Sequence, residues 1–347
     1  MSSPANTVRE LREQRLHEIR REAQRRGIVQ PVGEHKAAPT EASTEHGYYG
    51  MPLLKRPQWT VEVPLYFFVG GAAGAASVIS AVGHMSSADK KLIRDARWLA
   101  AIGGAISPAL LISDLGMPSR FLNMLRVFKI QSPMSVGSWT LVAFSNSAAA
   151  AVVLGEFQRR RPNGAIKVLT DAAQIVAALT GMVLASYTGV LIGATAIPAW
   201  NEHVATLPIH FAASGMGAAT SILELAGNDS AALNHIGIGA AAIETFMGVA
   251  IERSSAPATE ALRTGPSGWM MRGAGLFSGP LPLVLRLLSL RGGSGRGSMR
   301  RAAALASIAG SLLTRFAWIG AGKVSAADNS VPLQLDKPRR RQEFPTP

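Results

Sequence analysis

Long apolar runs, each close to the twenty or so residues a helix needs to cross a bilayer, recur along this chain between short polar connectors. They constrain the fold more than any motif does. Hydrocarbon offers no hydrogen bonds to a backbone, so only helices and closed barrels can span it. These runs are too long and too continuously apolar for barrel strands. The expectation is an all-α integral membrane protein with about eight transmembrane helices, at about 62–84, 97–115, 136–157, 168–197, 203–226, 231–251, 276–290 and 302–324. The seventh run is the weakest, because Pro280, Pro282 and Arg286 interrupt it.

Only 16% of the 347 residues are charged, where a soluble protein of this size carries about 25%. The deficit lies in the runs, since both tails are densely charged. Residues 1–58 read as a charged extension and linker, 59–325 as the membrane domain and 326–347 as a basic tail. Within the extension, Val8, Leu11, Leu16, Ile19 and Ala23 line one face of an Arg-rich amphipathic helix that Gly27 stops. It lacks the apolar core and cleavage site of a signal peptide. The chain has no cysteine, which excludes disulfides, thiolate-held iron–sulfur clusters and covalent c-type haem. The net charge of +13 is spread over tails and loops, so it reads as topology and lipid contact, not nucleic-acid binding.

Eight spans put both tails on one side. The short loops on the other side are the more basic, with roughly four Lys and Arg after the first, third and seventh spans, so the tails are expected on the outer face. Following each helix from that side shows where the polar residues fall. Glu62 opens the first span, Asp114 closes the second, and Tyr187 lies about three turns before the end of the fourth. Arg120 and Trp200 sit in the adjoining connectors. Ionisable groups in lipid are costly and are functional candidates by default. The plainer readings are headgroup-facing carboxylates, an Asp114–Arg120 pair, a packing tyrosine, and Trp59, Trp139 and Trp200 as interfacial aromatics. Glu244 differs because it lies mid-span and needs a partner, water or a proton; a proton path and a hydrogen-bonded structural group are both open. Glu224, Glu156 and Asp171 read as interfacial.

Quinol oxidation releases two electrons and two protons, and it needs proton acceptors beside an apolar pocket. Glu62, Tyr66, Asp114 and Tyr187 suit those roles. His84, His203, His210 and His235 supply no facing pair at matched depth, so no haem is expected, and the electrons must pass to a bound partner. The stretch 114–139 is more specified than a tether between helices needs to be. A transporter, or a passive anchor, remains the alternative.

The run Asp-Leu-Gly-x-Pro-x-Arg-Phe-Leu-Asn-Met-Leu-Arg-Val-Phe-Lys (114–129), then SPMSVGSW (132–139), resembles the signature of the NrfD/polysulfide reductase family of membrane subunits. YTGVLIGATAIPAWNE (187–202) and WTVEVPLYFFVGGAAG (59–74) resemble further family motifs. The resemblance covers roughly residues 48–325. It implies two four-helix bundles, the first (62–197) holding a quinone site near the outer face and the second spanning 203–324. It implies menaquinone or ubiquinone as substrate, with no haem or iron–sulfur cluster in this chain. It further implies a ferredoxin-like iron–sulfur partner, often with a molybdopterin catalytic subunit, in a bacterial cytoplasmic membrane. Carried over, the first-helix polar position falls on Glu62 and the fourth-helix quinone tyrosine on Tyr187. A first-helix histidine of some members is unmatched, Leu65 or Tyr66 lying there. Tyr66, Arg120 and Trp200 then become quinone contacts, and Phe121, Leu125 and Phe128 the docking platform.

Overall fold

The computed structural model describes Glu18, residues 54–115, 119–292, 295–328 and Val331, with the side chain of Arg120 outside that set. The chain divides into a unit Met1–Met51 and a unit Pro52–Pro347. Of the first unit only Glu18 is described, helical and exposed. The expected amphipathic helix and the basic tail beyond Val331 therefore lie outside the described residues.

Among the described residues the second unit consists of helices and connectors, with no strand. Six helices are long and apolar enough to cross a membrane: α1 (Glu62–Met85), α2 (Lys90–Asp114), α4 (Pro133–Arg160), α5 (Gly164–Gly193), α8 (Ala231–Arg253) and α12 (Arg296–Ser325). Shorter helices are α3 (Ser119–Met124), α6 (Pro198–Asn201), α7 (Leu207–Leu225), α9 (Glu260–Arg263), α10 (Gly265–Ser278) and α11 (Pro280–Ser289). Local chemistry sets the starts. Asp89 accepts from the Lys91 amide, Asn163 from the Ala165 amide, and Ser132 from the Ser135 amide with Pro133 opening the first turn.

Two of the expected spans differ. The fifth run forms α7, 19 residues long, whose Pro208, His210 and hydroxyl side chains dilute its apolar character. The seventh begins at Gly265 instead of 276 and is two helices, α10 and α11, broken at Gly279. Pro280 cannot continue α10 but is suited to open α11. Apolar periodicity alone could not find α10, because Gly268, Gly273 and Gly275 thin it out.

Helix α1 packs against α2, α5, α7 and α12, and α4 closes the far side between α2 and α5. Beyond α7, α8 packs against α10 and α11, which pack in turn against α12. The pairing of α1 with α2 is antiparallel: Ser80 of α1 meets Ile93 of α2, while Thr60, just before α1, meets Asp114. The run from Gly70 to Ser77 is buried throughout. A side chain at Gly74 would overlap the Gly181 carbonyl of α5, and one at Gly181 would overlap the Ser77 hydroxyl. That hydroxyl donates to Gly74 O at 2.7 Å and Ala177 O at 3.0 Å. Small residues thus let two backbones touch and share hydrogen bonds, the main source of helix association where lipid supplies no hydrophobic drive.

Gly181→Leu is expected to force α1 and α5 apart and cost about 1–3 kcal/mol. This should appear as a lower Tm of the purified protein in detergent, while Gly239→Leu, whose position faces open space, leaves Tm unchanged.

Candidate functional site

The ends of α1, α2 and α5 meet where the sequence places its polar residues. Asp114 accepts hydrogen bonds from the Thr60 backbone amide, at 3.2 Å, and from the Thr60 hydroxyl. A carboxylate is favoured there because the first amides of a helix lack intrahelical partners and carry partial positive charge. Asp114 thereby clasps the end of α2 to the start of α1. The expected Asp114–Arg120 pair lies outside the described residues. Glu62 begins α1 at the same end and is half-buried.

One turn deeper, the structure brings Tyr66 of α1 and Tyr187 of α5 together. Tyr66 is 1% exposed and Tyr187 7%. The Tyr187 ring lies over Gly137 of α4, where any side chain would collide with the phenol. Gly70 leaves similar room for Ser107 and Tyr66, each within 3.6 Å of where its side chain would begin. Among the described residues, the hydroxyls of Tyr66 and Ser107 are buried without a well-formed hydrogen bond. Leaving such a group unpaired costs about 1–3 kcal/mol. The interior of α1, α2, α4 and α5 therefore holds hydroxyls that a polar ligand or water can satisfy.

Trp200, expected as an interfacial aromatic, is instead fully buried: its ring stacks on Trp59 at 5.3 Å, and its indole N–H donates to Trp318 O at 2.7 Å. Lys323 reaches Trp59 O at 2.8 Å. These contacts tie the start of α1 to the end of α12. Nearby, His203 faces Thr259 at 3.3 Å and the edge of Trp318, and burial lowers its pKa, favouring neutral imidazole.

The segment between α2 and α4 is shaped by its own hydroxyls. The Lys129 amide donates to the Ser135 hydroxyl, which donates to Val127 O at 3.2 Å. Phe121 turns inward and is buried, so it anchors the segment and does not offer a docking surface. Leu125 is half-buried, while Leu122, Val127, Phe128 and Ile130 are exposed.

Sequence reasoning singled out Glu244 as a mid-span group in need of a partner, but missed its partners and the rest of the polar interior of the second half. Glu244 is buried with two partners, the His210 ring at 3.1 Å and the Ser278 hydroxyl at 2.7 Å. Arg315, also fully buried, donates to Phe211 O at 2.9 Å and lies over the Phe211 ring at 3.9 Å. A cavity of about 450 Å³ reaches this pair from the Arg253 end of α8, between α8 and α10. Further along, Ser214 and Ser311 bond at 2.9 Å. Beyond them Glu224 holds two buried guanidinium groups, Arg286 at 2.8 Å and Arg300 at 2.7 Å. Glu224 is therefore corrected from an interfacial group to the centre of a buried ion cluster. Glu156 and Asp171 form helix-end ion pairs with Arg159 and Lys167. A signal was available. His210, Ser214, Ser221 and Glu224, like Arg315, Ser311, Ser307 and Arg300, recur at helical spacing.

The profile of a family described as polysulphide reductase, NrfD, matches residues 54–327. This chain belongs to the NrfD family. The match takes in every helix from α1 to α12 and leaves out the charged extension. NrfD proteins are membrane subunits of polysulfide reductase and related redox complexes, and this chain is a multi-pass membrane protein of that kind. A search of curated proteins finds no significant match.

Arg286→Met is expected to leave the Glu224 cluster with uncompensated buried charge and polar groups, costing about 3–5 kcal/mol. It should lower the Tm or yield of purified protein, whereas Asp229→Asn, at the exposed rim, should have a far smaller effect.

Proposed function

We propose that this NrfD subunit exchanges electrons and protons with a membrane quinone held beside Tyr66 and Tyr187. The observation that carries the reading is the pair of buried phenols facing each other next to the unpaired Ser107 hydroxyl. A quinone carries two carbonyl oxygens that accept hydrogen bonds, and a quinol carries two hydroxyls that must lose protons. The Tyr66 and Tyr187 phenols can donate to the first and take part in relaying protons from the second. Glu62 and Asp114, at the same helix ends, provide carboxylates towards the aqueous face. Arg120 belongs to the adjoining connector. The substrate is menaquinone or ubiquinone, and no haem or iron–sulfur cluster is assigned to this chain.

The electrons pass to a ferredoxin-like iron–sulfur subunit, and through it to a molybdopterin subunit. The exposed apolar residues Leu122, Val127, Phe128 and Ile130 lie beside the quinone end and suit such docking. We read the architecture as eight crossings, with α10 and α11 together forming one, arranged as two four-helix bundles. The meeting of Trp59 with Lys323 supports an even number of crossings. On this reading this end lies outside a bacterial cytoplasmic membrane, which the basic short loops at the other end support.

In the complex with its iron–sulfur partner, Tyr187→Phe is expected to lower quinol-driven reduction of that partner about 100-fold without lowering Tm. Full turnover in Tyr187→Phe, Glu62→Gln and Asp114→Asn alike would leave a passive anchor as the correct reading.

A second reading concerns protons, and the buried column from the cavity through Glu244, His210 and Ser214–Ser311 towards Glu224 favours it. One Glu244 carboxylate oxygen is buried without a partner among the described residues, which suits a group that takes and releases a proton. In proteoliposomes, Glu244→Gln should abolish proton movement coupled to quinol turnover while electron transfer continues. Unchanged coupling would show that Glu244 only braces α7 against α8.

A further inference from the structure

A groove of about 370 Å³ runs between α2 and α4 at the end of the molecule opposite Asp114. Its cationic lining is Lys90, Lys91, Arg94, Arg97 and Arg159. The carboxylates nearby are fewer. Lys91 takes Asp95 at 2.8 Å and Arg159 takes Glu156 at 2.9 Å, while Arg94 approaches Asp95 only to 3.7 Å. Among the described residues, Lys90 and Arg97 have no carboxylate within ion-pair distance.

Arg97 is the informative one. It is half-buried, yet its Nε and one terminal nitrogen both bond a neutral group, the Gln174 side-chain oxygen. The Gln174 amide donates to Ser80 at 3.0 Å, and the Ser80 hydroxyl to Ile93 O at 3.3 Å. The remaining nitrogen lies over Gly155, 2.9 Å from where a side chain would begin there. A guanidinium hydrogen-bonded to an amide instead of to an acid remains available to an outside anion, and its planar fork suits a phosphate. Among the described residues the carboxylate that acts on Arg97 is Asp171, which also pairs with His84 and Lys167 and lies beyond ion-pair distance of the guanidinium, so an anion arriving from elsewhere would offset the cost of holding this cation at the edge of lipid.

The groove also continues into apolar surface. A shallower depression shares Arg94, Trp98 and Glu156 with it and extends to Leu99 and Ile102. Trp98, Ile102 and Ile106 project one turn apart along α2, and Val153 and Phe157 are exposed on α4. Cations at a membrane edge followed by an apolar track match an amphiphile with an anionic head.

We propose that this groove binds an anionic phospholipid, its phosphate seated against Arg97, Lys90 and Arg94 and its acyl chains along Trp98, Ile102 and Ile106. This site lies at the far end of the first four helices from Tyr66 and Tyr187 and does not rest on quinone chemistry.

The test is native mass spectrometry of the full-length protein released from nanodiscs of mixed phosphatidylglycerol and phosphatidylcholine. Wild type should retain phosphatidylglycerol preferentially. Lys90→Gln/Arg94→Gln, both exposed and away from the packed core, should lose that retention about tenfold or more, at about fivefold per cation. Arg97→Gln should lose it comparably, and Arg301→Gln, an exposed cation at the same end, should not. Equal retention of the two lipids, or undiminished retention in Lys90→Gln/Arg94→Gln, overturns the proposal. Displacement of the bound lipid by millimolar inorganic phosphate also overturns it, because the site would then recognise phosphate without using the apolar track.

Discussion

The close approach of backbones along α1 is the constraint on which the remaining packing depends. Its small-residue face lets the Ser77 and Ser80 hydroxyls donate to carbonyls of α5 and α2, and Gly71 meets Gly215 of α7 with equally little space. Because α1 touches helices of both halves, any thickening of its small face would disturb both at once. Two-thirds of its apolar window is buried inside the protein, more than in any other candidate span. It is therefore the axis of the molecule, and the first polar position, Glu62, and the first tyrosine, Tyr66, lie at one end of that axis.

Burial without water governs the other polar groups. The acids deep in the second half pair with groups on other helices, Glu244 with His210 and Glu224 with Arg286 and Arg300, while Arg315 meets the Phe211 carbonyl and ring. Such pairs add little net stability compared with apolar packing, but breaking one leaves a bare charge in a medium that cannot solvate it. They consequently hold α7, α8, α11 and α12 in a single register. The first half follows a different rule. Its buried polar groups are hydroxyls and one amide, some of them unpaired, and uncharged groups can await a ligand at lower cost than ions.

The two ends of the first half are unlike for the same reason. At the Asp114 end the carboxylate is taken up by the Thr60 amide and hydroxyl just before α1, leaving the phenols below it to face the interior. At the Arg97 end, five cations outnumber the carboxylates close to them, and an amide is used where an acid would have neutralised the charge. On the readings proposed above, one end takes a neutral, redox-active ring and the other an anionic headgroup.

The sequence by itself determined that this is a helical membrane protein, and the motifs at 59–74, 114–139 and 187–202 pointed to its family. Run length and apolar content are properties of a local stretch, and lipid allows them few outcomes. The convergence of Glu62, Asp114 and Tyr187 at one end was also legible, since helix direction alternates from span to span. What each side chain touches was not. That Asp114 would meet Thr60, whether Trp200 would face lipid or stack on Trp59, and whether Glu224 would sit at the interface or between two arginines all depend on helix rotation and on neighbours more than fifty residues away. The break at Gly279 and the start of α10 at Gly265 escaped for a related reason, because glycine-rich turns carry little apolar signal and are held by packing against α12. Tertiary structure decided these points because rotation of a helix about its axis is set by the groups it buries against its neighbours, and no local pattern contains both partners.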